Sequence, residues 1–165
     1  MDKETIVKKV ITFLLLSLFS VSAGADTVLS EEQLKDLTQQ FIAAKNARQQ
    51  PDSTAKDVEY FLSFLAEEFL DDHVKFNVIV SSKEELRERM LAKLKDKILF
   101  SNIDILEIMT GRNVTFVKFK EHVKEHVKGQ PGHMDKPIEY TAVNIMSLEF
   151  NDNGKIKHIR RHHGL

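Results

Sequence analysis

Beyond residue 100 the apolar positions of this sequence stop recurring every three to four residues and alternate every two, through a succession of long runs. Such alternation belongs to strands that bury one face. Asn102 to Thr110 is apolar and β-branched, Gly111-Arg112-Asn113 is a turn, and Val114 to Lys128 continues as a second strand. Gly129 to Pro137 is an extended hairpin loop, Ile138 to Phe150 a third strand, Asn151-Asp152-Asn153-Gly154 a tight turn, and Lys155 to His163 the last strand. Strands of about 13 to 15 residues far exceed the usual ~5–6, so the sheet is expected to bend strongly.

The preceding half has helical spacing. Ser30-Glu31-Glu32-Gln33 is a capping box, and Leu34, Leu37, Phe41 and Ala44 follow at helical intervals, predicting a helix from about 31 to 48. A second helix is predicted with Val58, Phe61, Leu62, Leu65 and Phe69 on one face, Tyr60 and Phe64 widening the stripe, and an end near Asp71-Asp72. Adjacent carboxylates at such a junction diverge and commonly cap or face water. His73 to Val80 alternates and reads as a strand, and Ser82-Lys83-Glu84-Glu85 caps a third helix that turns Leu86, Met90, Leu94 and Ile98 inward. The predicted order is α-α-β-α-β-β-β-β. Because helices and strands are segregated, an α+β layer is expected, with helices on one face of a bent, mostly antiparallel sheet that closes into a cone.

The first 25 residues stand apart. Lys3, Lys8 and Lys9 precede an apolar stretch from Val10 to Val21, and Ala23-Gly24-Ala25 places small residues where a signal peptidase reads them. The stretch is about a dozen residues long, whereas a spanning helix needs ~20. A secretory signal peptide cleaved before Asp26 is therefore expected, leaving residues 26–165 as a single periplasmic or extracellular domain without membrane attachment. The sequence contains no Cys, which excludes a lipid anchor at the new N-terminus, disulfide support and a thiol nucleophile. Net charge is −1, and −2 once the signal is removed, which does not suit a nucleic-acid binder.

Phe69-Leu70-Asp71-Asp72-His73-Val74-Lys75-Phe76 leads into the first strand, and Leu148-Glu149-Phe150-Asn151-Asp152-Asn153-Gly154-Lys155-Ile156 turns into the last. With the order of elements, these motifs resemble the NTF2-like superfamily, specifically its SnoaL-like proteins, over roughly residues 30 to 163. The resemblance implies a cone with an internal pocket, a first strand lying near the last, and homodimerisation through the outer sheet face. It leaves activity open, because the superfamily includes ketosteroid isomerases, dehydratases, epoxide hydrolases, cyclases and non-catalytic binding modules. The isomerase branch carries an Asp base about five residues after the Asp that opens its first strand; counted from Asp72 that position is Asn77. An amide cannot serve as a general base near neutral pH.

His122-Val123-Lys124-Glu125-His126 matches the H-x-x-E-H pattern of zinc proteases, which needs a helix to bring both imidazoles to one ion. The segment reads as strand, where residues four apart lie ~13 Å from each other, so no metal site is expected, nor any cofactor. G-x-G-x-x-G, G-x-x-x-x-G-K and G-x-S-x-G are all absent. If Ile156 points inward, as the resemblance implies, strict alternation carries His158, Arg160 and His162 to the same side and leaves Arg161 and His163 outside. Parity from Leu148 and Phe150 likewise turns Tyr140, Asn144 and Met146 inward. Tyr140, Asn144, His158 and Arg160 are thus expected to converge on a carboxylate, carbonyl or hydroxyl, with Tyr60 as core or pocket wall.

Three readings follow from these residues. One is an exported domain binding a small, partly apolar ligand. Another is an isomerase, dehydratase or hydrolase with His158 as acid or base, needing a carboxylate from Glu121, Asp104 or Glu107. The last is a homodimeric interaction module. An open apolar cavity favours the first, a His–carboxylate pair inside it the second, and a filled cone the third.

Overall fold

The computed structural model describes residues 28–126 and 137–163. The expected signal segment and nearly all of the loop expected from Gly129 to Pro137 lie outside the described residues. Helix α1 (Glu31–Ala47) starts as its capping box requires: Ser30 Oγ accepts from the Gln33 N–H, and the Gln33 side chain accepts from the Ser30 N–H at 2.9 Å. Its buried stripe is Leu34, Thr38, Phe41, Ile42 and Lys45.

Helix α2 is shorter than its apolar stripe suggests, running only over Ala55–Leu62, and strand β1 follows at Leu65–His73. Leu65 and Phe69, expected on the helix, are buried in this strand. An irregularity in β1 between Leu65 and Leu70 separates buried residues by four positions, which mimics a helical repeat. Capture by the far end of the chain decides the outcome, since the Ile156 N–H donates to the Phe64 carbonyl and β1 runs parallel to the last strand.

The strand expected from His73 to Val80 is broken in the middle. Val74–Phe76 forms a short 3-10 turn and Asn77 takes the left-handed conformation at φ 52, which its short polar side chain tolerates. The chain then folds back as β2 (Val78–Val80), antiparallel to β1. Asn77 is therefore a turn residue and not part of a strand facing the pocket.

Helix α3 (Lys83–Lys93) begins at the Ser82 cap. It ends before Ile98, which belongs to β3 (Lys97–Gly111), the first of three long strands with β4 (Val114–His126) and β5 (Ile138–Phe150). Strand β6 (Ile156–Arg161) completes a six-stranded sheet ordered β2-β1-β6-β5-β4-β3, antiparallel except at β1–β6. The first strand does lie beside the last, and the helices and sheet form the expected α+β architecture. Register shifts within β3–β4 and β5–β6 bend the long strands. Between the layers, Phe41 stacks on Phe61 at 4.9 Å and meets Phe64 edge-on, above Phe119, Leu148, Phe150, Ile156 and Ile159. Thr38 and Thr115, both fully buried, share a hydroxyl hydrogen bond of 2.8 Å that ties α1 to β4.

Candidate functional site

Strand β6 decides what faces the interior. Ile156 and Ile159 are both fully buried although three residues apart, which strict alternation forbids. The register shift opposite Glu149 and Phe150 absorbs the extra residue. Parity inverts after it, so Arg161 and His163 turn inward while His158 and Arg160 turn outward. His158 Nδ1 lies 3.6 Å from Glu149 on the outer face, and Arg160 Nε lies 3.1 Å from Asp72. The expected convergence of His158 and Arg160 with Tyr140 and Asn144 is thus not formed. Glu121 faces the interior and Glu149 is the acid beside His158. On β5 no shift intervenes over these positions and parity holds: Tyr140 lines the interior, and Asn144 donates to Glu121 at 3.3 Å. Tyr60 is 52% exposed on α2, its ring edge-on to Phe64, and lines none of this space.

A cavity of about 700 Å³ opens between α3, β2, the end of α1 and the inner sheet face. Its walls are mainly apolar, with Phe76, Val80, Leu86, Met90, Ile98 and Val123, and carry Arg89, Lys93 and Glu125 among them. Its floor is charged. Arg161 grips Asp71 through Nε and Nη2, both at 2.7 Å, and Asp71 is wholly buried. His73 Nε2 stands 3.6 Å from the same carboxylate, and the His73 and His163 rings are 5.8 Å apart. In a side recess of about 80 Å³ that shares Arg161 and His163, Glu121 accepts from Lys45 and Gln49, each at 2.6 Å. Arg48, at the end of α1, lays its guanidinium over the Phe61 ring at 4.7 Å.

Burial works to raise the Asp71 carboxyl, but Arg161 and His73 outweigh it and hold the group well below the usual carboxylate range. Burial also opposes ionisation of Glu121, yet Lys45, Gln49 and Arg48 bring it below its ordinary value. The cations respond in the same sense. Burial pushes Lys45 down to about 8 against the pull of Glu121, with Arg48 adding to the shift, and burial followed by the charge of Arg161 pushes Arg48 down to about 10. His163 is lowered by burial first and then by His73, Arg161 and Lys75. Tyr140 rises to about 12 through burial and the charges of Glu121 and Glu125. The carboxylates stay ionised because cations adjoin them, whereas burial more than any neighbour's charge lowers the cations.

Sequence reasoning missed Arg48, Asp71, His73, Arg161 and His163. Asp71 was placed at a helix end, and only a strand beginning at residue 65 would have turned it inward. Adjacent acids do diverge there, Asp72 outward to Arg160 and Asp71 inward to Arg161. The H-x-x-E-H segment is extended within β4, with His122 outside against Glu139 at 3.0 Å and Glu125 inside near Lys93 at 3.4 Å. Among the described residues no group of three or more His, Cys, Asp or Glu could hold a metal ion.

No family model matches the sequence, and no curated protein matches it. Solved structures match in fold. A protein assigned to the SnoaL-like polyketide cyclases, from Shewanella denitrificans, superposes with a TM-score of 0.65 at 11% identity over 81% of this chain and 91% of its own. An NTF2-like protein from Anabaena variabilis gives 0.56 at 14% identity over 83% and 93%, and an LEH-like epoxide hydrolase of M. tuberculosis gives 0.58 at 11% over 80% and 83%. At these identities the likeness is one of fold.

Proposed function

We propose that this chain, which has the NTF2-like fold in its SnoaL-like form, receives a small, partly apolar molecule in the cavity between α3 and the inner sheet face. The supporting observation is the division of that cavity into mainly apolar walls and a buried, charged floor, the arrangement that holds and orients small ligands. The leader pattern of residues 1–25 supports export, with residues 26–165 as the mature domain. Native mass spectrometry of protein taken from its own cell envelope tests both statements. A chain starting at Asp26 with a retained small molecule is expected, and Leu86→Trp, which fills the cavity, should release the molecule. A full-length chain would refute export, and a ligand-free protein that no compound stabilises would refute the cavity reading.

A second reading, acid–base catalysis, gains support from one contact. His73 stands beside Asp71 in the cavity, whereas His158, the candidate named from sequence, lies on the opposite face. A carboxylate near an imidazole orients the ring for proton transfer. The cyclase and epoxide hydrolase among the structural neighbours are compatible with this reading. Turnover lost in His73→Ala and retained in His158→Ala would establish it, and the reverse result would refute it.

A further inference from the structure

Among the described residues two buried side-chain nitrogens lack a hydrogen-bond partner, Arg48 Nε and His163 Nε2, and both side chains line the same cavity. Buried polar atoms are nearly always satisfied, so two orphans on side chains that line one space call for an explanation. Arg161 is their common neighbour, since its charge acts on each of them. Its own donors at Nε and Nη2 are taken up by Asp71.

Local charge balance points the same way. The floor holds the cations Lys45, Arg48 and Arg161 against the carboxylates Asp71 and Glu121, and each carboxylate is bound directly to a cation other than Arg48. On the wall, Lys93 is shared between Glu125 and Asp96. Among the described residues Arg48 is thus the floor cation with no carboxylate bound directly to it. Arg48 remains charged at neutral pH, its group being lowered only to about 10. The Arg48 guanidinium carbon lies 4.7 Å from the centre of the Phe61 ring, and a guanidinium offers its N–H donors in its own plane, in the fork that grips a planar carboxylate.

We infer that the cavity's ligand is an amphipathic monocarboxylic acid, whose carboxylate is held by Arg48 with His163 while its apolar body lies against Val80, Leu86, Met90 and Val123. This rests on the cavity reading and adds the sign and class of the polar group. A single negative charge balances the floor. A dianion such as a phosphate monoester would leave an excess facing Asp71 and Glu121.

Isothermal titration calorimetry with decanoate and decanol separates the two claims. In the wild-type protein decanoate should bind on the order of ten- to a hundredfold more tightly than decanol, the range expected of charge-assisted hydrogen bonds from a buried guanidinium. Arg48→Met should reduce that preference to within about twofold while leaving decanol affinity intact, which also reports that the cavity still forms. Arg48→Lys, which keeps the charge and loses the fork, should fall between. Decanol binding as well as or better than decanoate would overturn the inference and leave the cavity reading standing, as would a preference unchanged in Arg48→Met. Should the methionine variant fail to fold, the wild-type comparison and Arg48→Lys still decide. Heat from neither probe would overturn both claims.

Discussion

The pair between Asp71 and Arg161 should carry a large share of the stability of this fold when broken from one side, and little when removed whole. Asp71 is fully buried, the Arg161 side chain is 13% exposed, and both contacts are 2.7 Å. In Arg161→Met the carboxylate keeps only His73, 3.6 Å away. In Asp71→Leu the guanidinium is left near Arg48 and Lys45 with no carboxylate bound directly to it. Stranding a buried charge costs about 3–5 kcal/mol, a third or more of the stability of an ordinary domain. With a urea m-value of about 2 kcal/mol/M, each single variant should lower the unfolding midpoint by about 2 M. The double variant Asp71→Leu/Arg161→Met should lie within about 1 kcal/mol of wild type, giving a coupling energy of about 3 kcal/mol or more. The effect also depends on pH. Because the Asp71 carboxyl is held below its unfolded value, its contribution is complete above about pH 4 and is lost as pH falls toward the folded value. The acid limb of the stability profile should flatten in the double variant. Single variants costing less than about 1 kcal/mol, as a solvated pair would, would refute a buried ion pair at the floor.

The outer pair offers a contrast within one strand: Arg160→Ala, which breaks the contact to Asp72 where Arg160 is largely exposed, should cost under about 1 kcal/mol in the same titration. Thr38→Val leaves the buried Thr115 hydroxyl without its partner and should cost about 1–3 kcal/mol by thermal or urea unfolding. Gly154→Ala puts a Cβ on a residue at φ 71 and 3.1 Å from Leu37 Cδ1, so the midpoint should fall by an amount equivalent to about 1–2 kcal/mol.

The sequence made the layering legible because both periods were clean. The Ser30 box, the Leu34–Phe41 stripe and the long alternations of β3 to β5 each led to the element observed. It failed where a strand carries an irregularity, because no residue type announces one. Around Leu65 and Phe69 the irregularity imitates a helix, and before Ile159 it exchanges inside for outside. The second error reached further: it named His158 and Arg160 while concealing Arg161 and His163. Tyr140 and Asn144 were found because β5 runs unbroken past them. Arg48 and Lys45 carry no signal in the sequence beyond two cations spaced three apart, and only the packing of α1 over the sheet shows that they are enclosed.

The parallel pairing of β1 with β6 also sets a timetable. Asp71 and Arg161 are 90 residues apart in sequence, and β1 with its short partner β2 joins the rest of the sheet only through β6. During synthesis β1 and β2 emerge with their share of the cavity floor long before β6, and closure of the sheet waits for that strand. A truncation before Ile156 would remove the element that joins the two parts of the sheet.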